Sequence, residues 1–426
     1  MDNKVKASGA ARGVEAAGVP ARRAALRLLD AVLRRGLALE SALDGAAQGL
    51  APNDRGLAHA IAAEALRRLP DLDALIDGAT QRALPGDAKA RFALRIALVQ
   101  ALRLGTPPHA AISTVLPLVD GGPRKLVHGV FGALMRREAA LAAVPTLPAA
   151  VADRWRESWG EATVAATARA LAVPPPLDLT LRGGAEIPDA AGLLPGHARL
   201  PAGTSVPELP GYAEGGFWVQ DLAASLPARL IGPGAGRALD LCAAPGGKTL
   251  QLAAAGWDVT AVDISQSRLA RLSENLARTG FAVTAVTADL LAWEPDAPAD
   301  AVLLDAPCSA TGIFRRHPDV LHRVRPALVA EMAALQARLF ARAAAWVKPG
   351  GVLVYATCSL EPREGEEQLE RFLAEHGGFA LDPVRAEELP EGVAPRPDGS
   401  VRTLPGMLEE EGGLDGFFIA RLRRAP

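Results

Sequence analysis

The hydrophobic period of the chain changes near Gly216, and this change constrains the fold more than any other feature. Upstream, from Ala21 to about Leu141, apolar residues recur at helical spacing. The runs are Ala25–Leu33, Leu57–Leu69, Phe92–Leu104, Ala110–Val119 and Lys125–Arg137. Pro52, Pro85, Pro107-Pro108 and Gly121-Gly122-Pro123 punctuate them. Downstream, short apolar runs alternate with helical ones. Arg237–Cys242, Val259–Ile264, Val283–Thr287, Ala301–Asp305, Val352–Thr357 and Phe417–Leu422 predict strands, and helices start near Lys248, Ser265 and Pro326. Nearly all-apolar strands with helices between them predict a mainly parallel, doubly wound α/β sheet covered on both faces. The expected architecture is therefore an all-α bundle followed by an α/β domain.

Residues 1–20 are small, polar and aperiodic, and are expected to be a disordered leader. The helical domain is placed at 21–145. Pro145 and Pro148 then open a small linking subdomain, 146–215. It carries a short helix with Trp155 and Trp159, the run Pro174-Pro175-Pro176 and a strand-like Leu177–Leu181. The α/β domain takes 216–426. Without 18 uninterrupted apolar residues, no membrane partner is expected. Nor does the N-terminus read as a secretory signal. Three unevenly spaced cysteines make no disulfide framework, so a reducing, cytoplasmic setting is expected. Residues 1–150 carry 20 Lys and Arg against 13 Asp and Glu, whereas the rest carries 26 against 35. A basic first half beside an acidic second half is compatible with a polyanion partner.

Ala244-Pro245-Gly246-Gly247-Lys248-Thr249 follows a predicted strand and opens a helix. Glycines there let the backbone approach a ligand. A Walker A loop would need glycine where Cys242 stands, and no Gly-x-Gly-x-x-Gly is present. Asp263, 17 residues past Gly246 at the end of the next strand, is placed to bond ribose hydroxyls. Asp289, at the end of the third strand, is placed to flank an adenine amino group. Together they describe an adenosine without phosphates, with S-adenosylmethionine as the candidate. The alternative is a tight strand–helix turn in which Asp263 and Asp289 cap helices.

Cys308 in Asp305-Ala306-Pro307-Cys308 and Cys358 in Tyr355-Ala356-Thr357-Cys358 follow the carboxyl ends of two predicted adjacent strands. Ligands bind at that edge in open α/β sheets. Carbon 5 of cytosine is a poor nucleophile. A thiolate that adds to carbon 6 makes it enamine-like and able to take a methyl group. An acid must polarise the ring at N3, for which Asp305 is a candidate, and a base must then remove the carbon 5 proton. On these grounds either thiol can take either part. Arg315 and Arg316, in Gly312-Ile313-Phe314-Arg315-Arg316-His317-Pro318-Asp319, are expected to contact phosphates. A target base that must reach a thiol in the cleft is expected to be unstacked or flipped.

Five segments together resemble the RNA cytosine-5 methyltransferases of the RsmB/NOP type. They are Asp240–Thr249, Asp305–Gly312, Tyr355–Leu360, Trp218-Val219-Gln220-Asp221 and Asp415-Gly416-Phe417-Phe418. The Arg-Arg-His-Pro-Asp run and the helical first half are similar to the bacterial RsmB branch, which acts on 16S ribosomal RNA. The resemblance implies a NusB-like RNA-binding bundle, a Rossmann-like S-adenosylmethionine methyltransferase domain and an RNA partner; no metal is expected, and the sequence leaves the oligomeric state open, with a monomer as the expectation. It makes Cys358 the nucleophile and Cys308 the residue that aids product release. It also implies cofactor contacts by Cys242, Ala243, Ala244, Pro245, Gly246, Gly247, Lys248, Asp263, Asp289 and Asp305. Two rivals remain: a transfer-RNA methyltransferase of the same family, and a non-catalytic NusB-like RNA-binding assembly factor. Keeping both thiols and the complete loop argues against the second.

Overall fold

The helical reading of the first third holds in the computed structural model, which describes residues 16–426. The chain divides into two units between Thr146 and Leu147. The first contains α1 (Val19–Leu33), α2 (Leu39–Ala46), α3 (Pro52–Arg67), α4 (Leu69–Gly78), α5 (Lys89–Leu102), α6 (Pro108–Val115) and α7 (Gly121–Arg136). Periodicity did not separate α2, which buries only Leu39, or α4, whose Pro70 follows directly on α3. The expected leader is corrected at one end. Val19 is buried and begins α1, while residues 1–15 lie outside the described residues.

Helix α5 is buried continuously from Ala90 to Gln100, so it forms the centre of the unit. Its two arginines are neutralised internally. Arg95 donates from Nε and Nη2 to both oxygens of Asp73 at 2.8 Å, and Arg91 pairs with Asp77. Arg22 donates to Gln100 Oε1 at 2.7 Å, and Arg68 to the carbonyls of Ala142 and Ala143. Part of the basic excess in this half is thus structural cement. Removing one partner of such a buried pair costs about 3–5 kcal/mol.

The second unit opens with α8 (Ala149–Ala172), longer than the short helix expected and broken at Gly160 (φ 82°, ψ 170°). Its Val151, Trp155, Val164 and Leu171 pack against Phe314, Val320, Leu321 and Val329, the segment that follows Cys308. Strands β1 (Leu177–Leu181), β2 (His197–Leu200) and β3 (Phe217–Val219) form an antiparallel sheet in the order β2-β1-β3. Helix α9 (Leu222–Arg229) follows, capped by Asp221, whose Oδ1 accepts from Ala223 N.

Then come β4 (Arg237–Leu241), α10 (Gly247–Ala254), β5 (Asp258–Asp263), α11 (Gln266–Thr279), β6 (Thr284–Thr287) and β7 (Ala299–Asp305). They are followed by α12 (Val320–Arg323), α13 (Pro326–Ala345), β8 (Val347–Thr357), α14 (Glu366–Glu375), β9 (Phe379–Leu381), β10 (Val401–Thr403) and β11 (Phe417–Arg424). The strand order is β10-β11-β8-β7-β4-β5-β6, with β9 also on β11. Strands β4 to β8 pair in parallel, and β11 runs antiparallel to β8. The chain winds outward from β4 to β6 and then returns to the other side of β4 with β7. The order therefore reverses between β4 and β7, and ligands bind at the carboxyl ends beside such a reversal.

Alternating residues of each strand face opposite helix layers. Leu239, Leu304, Leu353, Tyr355 and Phe418 meet Leu339, Phe340 and Phe372 of α13 and α14. Ala238, Leu303, Val354 and Ile419 meet Ala223, Leu226 and Leu252 of α9 and α10. Phe340 stacks between Tyr355 (4.4 Å) and Phe372 (3.9 Å), so replacing it with alanine would cost about 3–5 kcal/mol.

Candidate active site

The loop after β4 is held from below. Buried Asp240 accepts from Thr249 Oγ1 at 2.5 Å, and burial pushes its carboxyl up to about 7. Gly246 caps α10 at φ 107°, where a Cβ would lie 2.3 Å from Leu272 Cδ1, so glycine is required. Asp263 ends β5 with 2 % exposure; it accepts from Ala244 N at 3.1 Å and Ser265 N at 2.8 Å. It thus fixes the loop and keeps lone pairs for a ligand.

Beside it opens a cavity of about 250 Å³. Cys242, Asp263 and Asp289 line it together with an apolar set that includes Leu290, Leu291, Leu335 and Leu339. An apolar slot with one buried carboxylate fits a nucleoside base and its ribose. Asp289 also caps the next turn, since its Oδ1 accepts from Leu291 N. Of the loop 242–248, Cys242 is the residue that lines this cavity. Burial pushes the Cys242 thiol far up, so it remains protonated. Ala243 and Ala244 pack with Leu269 and Leu272 instead.

Pro307 is a further wall of that cavity, which brings the first thiol next to it. Asp305 is paired with Ala356 across β7 and β8, so Cys308 and Cys358 leave neighbouring strands. Their Sγ atoms are 3.5 Å apart. The hydrogen bond with Cys358, and then burial, hold the Cys308 thiol well above its ordinary pKa. Lys248 reaches from α10 to Asp305, with Nζ 2.7 Å from Oδ2 and 5.4 Å from the Phe417 ring centroid. Burial works against the Lys248 charge, but Asp305 and then Cys358 outweigh it, so its pKa is raised.

Several supporting residues carry no sequence signal of their own. Glu364 accepts from Ser309 N at 2.8 Å and from the hydroxyls of Ser309 and Ser359. Burial pushes its carboxyl up, opposed by these hydrogen bonds. Trp159 Nε1 donates to Leu360 O at 2.8 Å, and Trp155 Nε1 and Arg154 both donate to Glu361. Helix α8 therefore grips the segment just past Cys358. Gly312 N donates to Cys358 O at 3.0 Å, and a Cβ at Gly312 would sit 1.9 Å from Gly416 O. Only glycine admits this crossing of the two loops.

Arg315 and Arg316, expected to contact phosphates, are both engaged by protein partners, and Arg315 is buried. Arg315 is 3 % exposed, donates to Gly412 O at 2.7 Å and lies 3.7 Å from Asp415. Arg316 donates to Asp221 at 2.7 Å, Asp415 at 3.1 Å and Pro176 O at 2.9 Å. Both are internal clasps, because carboxylates distant in sequence converge on them.

Comparisons with known proteins agree with this geometry. The crystal structure of PH0851 covers 95% of this chain and 99% of its own at a TM-score of 0.71, and at 21% identity shows the shared fold. A methyltransferase homologue from Pyrococcus horikoshii is 27% identical, covers 65% of this chain and 94% of its own, and has a TM-score of 0.53. The fold is that of an S-adenosylmethionine-dependent methyltransferase. Residues 233–423 match the family model of 16S rRNA methyltransferase RsmB/F, and residues 19–136 that of the NusB family. A ribosomal RNA small subunit methyltransferase B from Xylella fastidiosa is 37% identical over 95% of this chain and 98% of its own. One of the same name from Klebsiella pneumoniae is 34% identical over 93% and 96%. This chain belongs to the RsmB/F family of RNA methyltransferases, with a NusB-family domain at its N-terminal end.

Proposed function

We propose that this enzyme methylates carbon 5 of a cytidine in 16S ribosomal RNA through a covalent bond to Cys358. The observation that carries the reading is the pair of thiols, 3.5 Å apart at adjacent strand ends beside a cavity lined by Asp263, Asp289 and leucines. Methyl transfer to an amino group needs no enzyme nucleophile, and these thiols would then have no task. Bound S-adenosylmethionine supplies the methyl group that carbon 5 takes. Asp263 would hold its ribose and the apolar slot its base, with Asp289 and the loop 242–248 alongside.

Cys358 attacks as the thiolate. Its electron pair forms the S–C6 bond, and the former C5–C6 π electrons move onto carbon 5. The Lys248 ammonium sits where it favours negative charge on Cys358 and on the ring, and Asp305, paired with it at 2.7 Å, is the group that polarises the ring at N3. After methylation, a base removes the carbon 5 proton. The C–H electrons restore the C5–C6 double bond, and the S–C6 pair returns to Cys358. Cys308 is that base. To act so, its thiol first gives up its own proton to water, a loss made easier once Cys358 is alkylated, because Cys358 is the largest influence holding the Cys308 pKa up.

The substrate part rests on the names of the relatives and on the NusB-family domain. A reducing cytoplasmic compartment would keep the thiols free. Nucleoside mass spectrometry of ribosomal and transfer RNA, from cells with and without the gene, tests the assignment. One 5-methylcytidine should vanish from 16S RNA. Its loss from transfer RNA instead would refute the substrate, and an unchanged content in both would refute the reaction.

A further inference from the structure

Glu364 lies six residues past Cys358 and is fully buried. Its Oε1 accepts from Ser309 N at 2.8 Å and Gln336 Nε2 at 3.2 Å. Its Oε2 accepts from Ser309 Oγ and, at 2.5 Å, from Ser359 Oγ. Each serine directly follows one of the thiols. The main-chain carbonyl of Glu364 accepts from Tyr355 OH at 2.8 Å and Thr357 Oγ1 at 3.2 Å, so its own position is fixed by β8. Gln336 donates in addition to Pro307 O at 2.9 Å, the residue before Cys308.

These bonds stand where the sheet stops. The last ladder contact between β7 and β8 is Ala306 N to Ala356 O at 2.9 Å, before either thiol. Neighbouring strands run about 4.8 Å apart, whereas the sulfurs are 3.5 Å apart. Beyond that point the two loops are joined by Gly312 N to Cys358 O at 3.0 Å, by Leu360 N to Thr311 Oγ1 at 2.9 Å and, nearest both thiols, by the Glu364 carboxylate.

We propose that Glu364 is a positioning residue for the thiol pair, holding the Cys308 and Cys358 loops at the separation that release of the product requires. This rests on the covalent reading above. Addition depends on Cys358 alone. Release depends on both sulfurs, because Cys308 must reach the proton on carbon 5 while Cys358 is bonded to the adjacent carbon 6. A loosened pair slows the second step more than the first.

The test uses full-length Glu364→Gln with unmodified 16S RNA and S-adenosylmethionine. Glutamine keeps the shape but replaces one acceptor oxygen with a donor amide. The kcat should fall by about tenfold to a hundredfold, with the KM for RNA and cofactor within about twofold of wild type. A protein–RNA adduct that survives denaturing electrophoresis should build up during turnover. Unchanged kcat, or a loss that merely follows the folded fraction without adduct, would overturn the proposal. Where Glu364→Gln does not fold, the Ser309→Ala, Ser359→Ala double variant must accumulate the same adduct, and its failure to do so overturns the proposal equally. Cys308→Ala and Cys358→Ala run alongside separate the two ideas. Adduct formation without Cys358 sinks the covalent reading. Adduct in Cys308→Ala but none in Glu364→Gln sinks the positioning role alone.

Discussion

At the ends of β4 and β5 the site is built locally: one loop, one buried carboxylate and a slot of leucines, with Asp263 reaching Ala244, Ser265 and Arg268, all within 19 positions. At the ends of β7 and β8 it is built over distance. Ser309 and Ser359 meet on Glu364, α8 holds Leu360 and Glu361 from some 200 positions away, and Gly312 crosses Gly416. The cofactor side needs a shaped slot with one fixed acceptor. The thiol side needs two sulfurs held against each other, and both lie past the last ladder hydrogen bond between β7 and β8. On the proposed reading, binding and chemistry sit on one sheet edge but depend on different kinds of support, so substitutions on the two sides should fail differently.

The sharpest break belongs to the thiol side. Cys358→Ala should lower methyl transfer by about a thousandfold or more, while cofactor affinity by calorimetry stays unchanged. Measurable turnover near wild type would end the division. Cys308→Ala should come next. Steady-state turnover should fall by about a hundredfold while single-turnover transfer persists, because only proton removal is lost. Equal losses in both assays would place Cys308 before methyl transfer. On the cofactor side, Asp263→Ala should raise the cofactor dissociation constant by about ten- to a hundredfold, the worth of hydrogen bonds to a charged group. The adduct should not accumulate in this variant, and accumulation would show that the two sides are coupled. The smallest effect on RNA concerns Arg315. Arg315→Ala should destabilise the protein by about 3 kcal/mol, as for any broken buried pair. The salt dependence of RNA binding should keep its slope, whereas a phosphate contact would reduce that slope by about one.

The same contrast explains what could be read from the sequence. The sheet, the helix starts and the cofactor loop come from contiguous residues whose period and glycines show themselves. So do the strand ends that carry Cys308, Cys358, Asp263 and Asp305. Glu364 sits in Leu360-Glu361-Pro362-Arg363-Glu364-Gly365, where nothing in the pattern marks it as buried. Its partners lie up to 55 positions away. Arg315 and Arg316 misled for the same reason. A pair of arginines reads as a phosphate contact until Asp221 and Asp415, 95 and 99 positions from Arg316, are seen to close on it. Helix α8 was underestimated because Gly160 interrupts its period and its apolar face meets residues beyond Cys308. Charge and burial are separate properties, and for a charged side chain the sequence reports only the first.

The unequal roles of the two thiols are best tested by mapping the covalent adduct. Cys308→Ala and Cys358→Ala proteins would each be incubated with 16S RNA and S-adenosylmethionine, denatured and digested, and the peptide that carries the nucleotide identified by mass spectrometry. The account predicts an adduct in Cys308→Ala, attached at Cys358, and none in Cys358→Ala. An adduct attached at Cys308 in Cys358→Ala would contradict it.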